Sequence, residues 1–270
     1  MDDANCLRLG ASPQRNPHEE PLLPDHGFEE IQSKAQRPLL DPSHVDSHEF
    51  PVKWNLYSNK TSSIEELFIG EHRAQPIYAV KRTDKNRWKL RNMCLYAGPS
   101  TSDPFMASGS YIDDDYKKWE ITLYDTMPQV TTLTTFVTER YDWKRNVFQF
   151  SIPTDIKNQE EIFEWRATNN PRLKTVLNGQ SFGWKLVRMT QDDFLDIKSG
   201  PVRGLWPSTS DNKEVVAVCA KNGTVWTKYW RFAFLGTGTT GMLGTRWRRM
   251  AVITALMLMD CQFKRDMDSA

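Results

Sequence analysis

The chain of 270 residues has little histidine, and none of it lies beyond His72. A Ser-His-Asp or Cys-His arrangement therefore has no histidine to act as its base within residues 76–270. The five histidines of the chain are His18, His26, His44, His48 and His72. Their placement is the strongest sequence argument against hydrolase chemistry, and we expect a non-enzymatic protein without a cofactor.

Cysteine is equally sparse, since Cys6, Cys94, Cys219 and Cys261 are widely separated and form no CxxC pair. This spacing argues against a zinc site and, more weakly, against a disulfide framework. The first ten residues, MDDANCLRLG, lack the basic segment and apolar core of a secretory signal. We therefore expect no bound metal and a reducing compartment, the cytoplasm or the nucleus.

Net charge and long apolar runs are also missing. The 35 Lys and Arg residues face 34 Asp and Glu, so the formal charge is only +1. The chain as a whole therefore gives no electrostatic reason to expect nucleic acid, and any anion-binding role must come from a local patch.

The apolar run Met250–Met259, interrupted only by Thr254, has ten residues. A membrane-spanning helix needs about 20, so we expect this run to be enclosed by protein.

Residues 1–50 are rich in Pro, His, Ser, Gln and acidic side chains. This composition buries too little apolar surface to offset chain entropy, so we predict a disordered tail followed by one folded domain, 51–270. The tail contains Pro-Leu-Leu twice, at residues 21–23 and 38–40. These segments are candidate docking motifs for a protein partner, with chance repetition as the alternative.

Strand signals recur at short intervals from Pro76 onward. The predicted strands are Ile77–Arg82, Arg87–Tyr96, Lys118–Tyr124, Thr131–Val137, Asn146–Ile152, Ile162–Ala167, Phe182–Thr190, Glu214–Ala220 and Val225–Leu235. Turn-type residues separate them, and Asn222-Gly223 is a hairpin signal between the last two. Residues 191–212, which contain two glycines and two prolines, are interpreted as a surface insertion.

The apolar run Met250–Met259 belongs to a predicted helix of residues 243–263. Such a helix is about 30 Å long, and strands of seven to ten residues span roughly 23–33 Å. A helix packed on one face of a sheet would show a polar stripe, which this run lacks. A closed antiparallel β-barrel with the helix along its axis accounts for both observations.

Several motifs, in their order along the chain, resemble the tubby C-terminal-like superfamily, especially its fungal members. Plant LURP-one-related proteins and phospholipid scramblases share this architecture. The motifs are FEWR at 163–166, GWKLVR at 183–188, EVVAV at 214–218, FAFLGTG at 232–238, and the helix start from Arg246 to Leu256. The resemblance covers roughly residues 60–265. It implies a barrel of about twelve strands around a central hydrophobic helix, with the missing strands in Trp54–Phe68 and Asp103–Tyr111.

Two motifs suggest chemistry that their context does not support. Gly236-Thr-Gly238-Thr-Thr-Gly241 matches the GxGxxG dinucleotide fingerprint, but only 29 residues follow it and none of them is strand-like. We interpret these glycines as the turn that leads the chain into the barrel axis. Asp113-Asp114-Asp115 lacks the spacing of a calcium loop and is interpreted as a solvated turn.

The primary candidate anion site consists of Lys85, Arg87, Lys89 and Arg91. If Lys85–Arg91 is a single strand, these residues line one face about 6.6 Å apart, with Trp88 on the other face. Four clustered cations suit the phosphates of a lipid headgroup. Tubby proteins bind phosphoinositides through basic barrel residues, so the resemblance implies the same ligand. The alternative is a solvated strand face balanced by neighbouring carboxylates.

The secondary candidate anion site consists of Arg246, Arg248 and Arg249 in the first turn of the predicted helix. Cations there oppose the helix dipole, so their placement needs a reason. They and the free amides after Gly241 form a candidate phosphate site. The alternative is that the arginine side chains extend along the barrel mouth or pair with nearby carboxylates.

The sequence therefore predicts an intracellular adaptor or regulator that binds anionic phospholipid headgroups through the primary site. We expect it in the cytoplasm, with the membrane surface and the nucleus as alternatives. A protein-interaction module that uses the Pro-Leu-Leu segments and residues 191–212 is the second hypothesis. A scramblase-like membrane protein, with the helix inserted in lipid, is the third.

Overall fold

The computed structural model describes residues 50–58, 66–86, 89–113, 117–124, 133–142, 145–156, 159–177, 182–189, 209, 213–222 and 228–268. These residues form a mainly β structure with one long C-terminal helix, which confirms that part of the predicted fold class. The strands are β1 (Lys53–Ser58), β2 (Glu66–Gly70), β3 (Tyr78–Asn86), β4 (Lys89–Tyr96), β5 (Phe105–Tyr111), β6 (Lys118–Leu123), β7 (Leu133–Asp142), β8 (Arg145–Pro153), β9 (Glu160–Thr168), β10 (Gly183–Arg188), β11 (Val215–Lys221) and β12 (Lys228–Phe234). The helices are α1 (Pro171–Leu177) and α2 (Gly244–Asp268), with a 3₁₀ turn at Gly236–Thr239.

Every strand pairs antiparallel with the strands before and after it in sequence, and β1 also pairs with β12. The order of hydrogen-bonded neighbours therefore runs from β1 through β12, β11 and onward to β2, which pairs with β1 again. Because the strands alternate in direction, their connections alternate between two ends. We call the end where α2 begins, next to Phe234, the upper rim. The opposite end, which holds Asn86 and Tyr111, is the lower rim.

Polar and apolar residues that alternate along the chain favour strands. In β6, Trp119, Ile121 and Leu123 are buried, while Lys118 and Glu120 are exposed. Side chains that alternate in this way place one apolar face against the core and one polar face outward. The alternation is not general, because six of the seven residues of β11 are buried.

Helix α2 lies against strands from different parts of the sheet, with contacts to β4, β5, β6 and β11. Every residue of Met250–Met259 is buried, with an exposed fraction of at most 8%. The helix begins one residue after the predicted start and ends at Asp268, five residues beyond the predicted end at Phe263. The predicted enclosure of this apolar run by protein is therefore observed for all ten residues.

Three strands were missing from the residue-by-residue prediction. β1 and β2 both overlap Trp54–Phe68, where only one additional strand was expected. β5 lies within Asp103–Tyr111, where the other was expected. The sequence of β5, FMASGSY, has a centre of small residues with weak strand propensity. A methyl group at Gly109 would lie 2.9 Å from the sulfur of Met257, so this small residue lets β5 approach α2 closely.

The folded core starts earlier than predicted. Phe50, which the sequence assigns to the tail, is buried and packs against Tyr78 with ring centroids 4.7 Å apart. Residues 1–49, and with them the predicted tail and its Pro-Leu-Leu segments, lie outside the described residues. The predicted insertion 191–212 also lies outside them, except for Thr209.

Candidate functional site

The primary candidate residues lie on two strands rather than one. β3 and β4 pair antiparallel, with Asn86 opposite Lys89 and Asp84 opposite Arg91. The prediction that Lys85–Arg91 forms one strand with a single basic face is therefore wrong. The assumption that these cations have no acidic residue on their face is also wrong, because Asp84 is the direct register partner of Arg91. Arg87 and Trp88 lie outside the described residues.

Antiparallel pairing distributes the basic residues over both faces of the hairpin. Lys89 and Arg91 share a face with their register partners Asn86 and Asp84. Lys85 lies between Asp84 and Asn86 in β3 and is therefore on the other face, on a strand about 4.8 Å from β4. The segment 81–91, which we call the basic hairpin, contains six Lys and Arg residues and one acidic residue, Asp84.

The basic hairpin is attached to α2 by a buried ion-pair group that the sequence analysis did not identify. Arg82 of β3 places Nη2 2.6 Å from Oδ1 of Asp260, which is only 1% exposed. Lys264, one helical turn after Asp260, places Nζ 3.2 Å from Oδ2. Tyr111, the last residue of β5, donates its hydroxyl to Oδ2 at 2.9 Å. We call these four residues the Asp260 cluster.

Further contacts hold the members of the Asp260 cluster in place. The ammonium of Lys264 lies 4.1 Å from the ring centroid of Tyr111, within cation–π range. The Tyr111 hydroxyl also lies 3.3 Å from the carbonyl oxygen of Met257. Burial, followed by the charge of Asp260, raises the pKa of Tyr111 well above its ordinary value, while the charge of Arg82 opposes this shift. The phenol therefore stays protonated and acts as a hydrogen-bond donor, and the cluster joins β3, β5 and α2.

Two of the three secondary candidates are buried. Arg248 and Arg249 have exposed fractions of 5% and 4%, whereas Arg246 is half-buried. Arg248 donates from Nη2 to the carbonyl of Thr239 at 3.1 Å, and its guanidinium lies 5.3 Å from the ring centroid of Phe234. Arg249 donates from Nη1 to the carbonyl of Tyr124 at 3.0 Å. These contacts join the N-terminal part of α2 to the 3₁₀ turn and to Tyr124, the residue after β6.

The start of α2 already has a carboxylate beside it. A methyl group at Gly244, the first residue of α2, would lie 2.5–2.6 Å from the carboxyl atoms of Asp155. Asp155 belongs to the connection between β8 and β9. An acidic side chain at a helix N-terminus interacts favourably with the helix dipole. The chain itself therefore supplies an anionic group at the place where the sequence suggested phosphate.

A second ion-pair group lies at the upper rim and was also missed. The guanidinium of buried Arg188 pairs with buried Glu161, with Nη2 2.7 Å from Oε1. Glu161 also accepts a hydrogen bond from the Thr154 hydroxyl at 2.9 Å. Glu214 accepts the backbone N–H of Thr237 at 2.7 Å. Glu214 also has Oε2 3.9 Å from Nη1 of Arg188. Its bond to Thr237 supports the 3₁₀ turn, consistent with the interpretation of the glycine motif as a turn into the core.

The other residues that the sequence suggested for chemistry have structural roles within the described part of the chain. Asp113 accepts the backbone N–H of Lys117 at 2.9 Å, which agrees with the predicted turn, while Asp114 and Asp115 lie outside the described residues. Burial raises the pKa of the Cys219 thiol, so this cysteine is not an activated nucleophile. Within the part of the chain that the structure describes, no His, Cys, Asp and Glu side chains form a group of three suited to a metal ion.

Comparisons of the chain with protein-family models, curated proteins and solved structures found no match. Among the described helices, none has the length and apolarity needed to cross a lipid bilayer. The assignment of the candidate site therefore depends only on the charges and contacts of this chain's own residues.

Proposed function

We propose that this protein is a non-catalytic binding module that attaches reversibly to anionic phospholipid headgroups, phosphoinositides in particular, through the basic hairpin. One observation carries the proposal. Residues 50–270 contain 31 Lys and Arg residues against 24 Asp and Glu, a net charge of +7. Apart from Arg82, whose guanidinium pairs with the buried Asp260, the basic hairpin has five cations and one carboxylate, a net charge of +4 in ten residues.

We also infer that the twelve strands close into a barrel around α2, with the architecture of the tubby-like superfamily. The pairing of β1 with both β2 and β12 and the burial of Met250–Met259 support this inference. A core of this kind would provide a rigid base for the basic hairpin. The Asp260 cluster, through Arg82, would then hold the base of the hairpin at a fixed position on the lower rim.

Clustered cations favour a membrane surface for an electrostatic reason. Each Lys or Arg near an anionic bilayer contributes about 1 kcal/mol, and the contribution falls off within a Debye length, about 8 Å at physiological salt. Lys85 at the end of β3 and Lys89 and Arg91 at the start of β4 are brought by the hairpin to the same end of the sheet, the lower rim. Their binding should therefore weaken steeply as the salt concentration rises.

Co-sedimentation with vesicles tests the proposal. The fourfold variant Lys85→Gln, Arg87→Gln, Lys89→Gln, Arg91→Gln should raise the apparent Kd for phosphatidylcholine vesicles containing a phosphoinositide by at least a hundredfold. Pure phosphatidylcholine vesicles should bind neither protein. Unchanged binding of the fourfold variant to the phosphoinositide vesicles would reject the basic hairpin as the contact.

A charge-matched pair of double variants controls for net charge. Lys85→Gln with Lys89→Gln removes two charges at the lower rim, where we expect at least a tenfold loss of affinity. Lys53→Gln with Arg73→Gln removes two charges near the upper rim and should change the affinity less than threefold. Equal losses in both variants would indicate that overall charge, rather than the basic hairpin, determines binding.

The protein-interaction hypothesis remains a prediction, because its proposed motifs lie outside the described residues. Pull-downs with full-length protein in which both Pro-Leu-Leu segments are changed to Pro-Ala-Ala would test it. Loss of all captured partners together with retained vesicle binding would separate the two functions.

A further inference from the structure

Some large apolar side chains of the described residues are exposed to solvent. Those with exposed fractions of at least 40% are Val52, Phe105, Ile112, Ile162, Phe182 and Met242. An isolated exposed apolar residue is common on protein surfaces, so its surroundings decide whether it has a role. Among these six, Ile112 is the one that directly follows a strand paired with the basic hairpin.

Ile112 lies at the lower rim, next to the basic hairpin. β5 pairs with β4, with Ser110 opposite Asn92, and Ile112 is two residues beyond Ser110. Asn92 is the residue that follows the hairpin segment 81–91. Neighbouring strands are about 4.8 Å apart, so the end of β5 is adjacent to the part of β4 that belongs to the hairpin. An apolar side chain that is 43% exposed therefore stands beside a cluster of positive charge.

The Asp260 cluster fixes the position of Ile112 relative to the hairpin. Tyr111 donates its hydroxyl to Oδ2 of Asp260 at 2.9 Å, and Arg82 contacts Oδ1 of the same carboxylate at 2.6 Å. The backbone N–H of Ile112 donates to the carbonyl of Lys118 at 2.9 Å. Because Tyr111 faces α2, the next residue is on the opposite face of the chain and faces outward. A side chain held in this way loses little conformational freedom on binding.

The turn that follows Ile112 adds no positive charge to the lower rim. Residues 113–118 contain three Asp and two Lys, a net charge of −1. The carboxylate of Asp113 accepts the backbone N–H groups of Lys117 and Lys118 at 2.9 and 3.2 Å. The favourable contribution that residues 112–118 can make to binding an anionic surface is therefore apolar.

We propose that Ile112 inserts into the boundary between headgroups and acyl chains of an anionic bilayer while the basic hairpin contacts the headgroups. This inference rests on the proposed function, and it names an assembled membrane surface, rather than a soluble headgroup, as the partner. Interfacial binding combines buried apolar area with electrostatic attraction, at insertion depths of about 5–10 Å. The charge of the hairpin, +4 without Arg82, is complementary to anionic lipid. A free inositol phosphate offers the same phosphates but no apolar phase for Ile112.

Co-sedimentation of matched variants tests the insertion. Ile112→Ser should raise the apparent Kd for phosphatidylcholine vesicles containing a phosphoinositide about tenfold. Val52→Ser is the control, because Val52 is 41% exposed and its carbonyl accepts the backbone N–H of Phe234 at the upper rim. This control should change the Kd by less than about twofold. Ile112→Trp should lower the Kd about fivefold, a gain that partial unfolding does not produce. Equal Kd values for Ile112→Ser and Val52→Ser would overturn the proposal.

Salt dependence separates the apolar contact from the charged one. The loss of affinity caused by Ile112→Ser should be the same at about 0.05 and 0.2 M NaCl, because salt in this range screens charges and leaves apolar burial unchanged. The loss caused by Lys85→Gln with Lys89→Gln should shrink over the same range. A parallel decrease of both losses would show that Ile112→Ser acts through the charges, which contradicts insertion.

A soluble headgroup distinguishes the two sources of phosphate. Ile112→Ser should leave the affinity for inositol trisphosphate unchanged in isothermal titration, because this ligand has no acyl chains. Equal losses for inositol trisphosphate and for vesicles would reject insertion. Vesicle binding that depends on Lys85 and Lys89 but not on Ile112 would retain the proposed function and reject this inference. No vesicle binding by any of these proteins would reject both.

Discussion

The indole Nε1 of Trp165 donates a hydrogen bond of 2.9 Å to the hydroxyl of Thr254, the one polar side chain within Met250–Met259. That hydroxyl in turn donates to the carbonyl of Met250, one helical turn earlier, at 2.7 Å. Both side chains are fully buried. A polar contact therefore joins the middle of α2 to β9 in an otherwise apolar interface, and it fixes the rotation of the helix relative to that strand.

Replacing Thr254 by the isosteric valine should destabilise the fold by about 1–3 kcal/mol, because a buried indole N–H then has no acceptor. Thr254→Ser keeps the hydroxyl and should cost less. Guanidinium chloride unfolding measures both values. Adding Trp165→Phe to each background completes a double-mutant cycle, in which we expect a coupling energy of at least 0.5 kcal/mol. A coupling energy of zero would show that the bond contributes nothing to stability.

Removing the shared carboxylate of the Asp260 cluster should be among the most destabilising single changes. Asp260→Asn leaves the buried guanidinium of Arg82 without its ion-pair acceptor, and breaking a buried pair costs about 3–5 kcal/mol. Glu120→Gln, which removes a carboxylate from an exposed position on β6, is the matched control and should change stability by less than about 0.5 kcal/mol. Equal denaturation midpoints for the two variants would contradict a structural role for the cluster.

Stability should fall in alkaline solution because two buried groups resist ionisation. Burial raises the pKa of Cys219 above its ordinary value of 9.0, and burial with the nearby charge of Asp260 raises the pKa of Tyr111 above 10.0. Above these ordinary values the unfolded chain ionises and the folded chain does not, so rising pH favours unfolding. Each group lowers the unfolding free energy by about 1.4 kcal/mol per pH unit until its folded pKa is reached.

Two variants separate the alkaline effects. Cys219→Ala should make the unfolding free energy less steep between pH 9 and 10, and Tyr111→Phe should do so above pH 10. Urea titrations at half-unit pH intervals measure these slopes relative to the unaltered protein. Slopes identical to that of the unaltered protein would show that these groups ionise equally in both states.

Much of the fold was predictable because its signals are local. Alternating polar and apolar residues in β6 specify a strand by themselves, and the near absence of polar residues in Met250–Met259 specifies an enclosed helix. β5 was missed because its small residues are selected by the nearby helix, which local periodicity does not report. The hairpin between β3 and β4 had an unused signal, since Asp84 and Asn86 are residue types that strands disfavour and turns favour.

The buried charged groups were less predictable, because their partners are distant in sequence. Asp260 and Lys264 have the i, i+4 spacing of a helical ion pair, which is a local signal. Arg82 and Tyr111, however, lie 178 and 149 positions before Asp260, and only the pairing of the strands brings them to it. A single acidic residue at the end of an apolar helix indicates that some cation is needed, without indicating which one.

The turn into α2 contains two glycines that differ in their surroundings and provide a controlled comparison. Gly241 has φ +80° and Gly244 has φ +85°, so alanine is strained at both by about 1–2 kcal/mol. At Gly241 a methyl group meets no described atom within 4 Å, whereas at Gly244 it meets the carboxylate of Asp155. Gly244→Ala should therefore destabilise the fold by more than Gly241→Ala, and denaturant unfolding measures the difference. Adding Asp155→Ala should remove most of that excess, because the smaller side chain leaves room for the methyl group. If the excess persists with Asp155→Ala, the cost arises from the backbone at Gly244 and not from the carboxylate beside it.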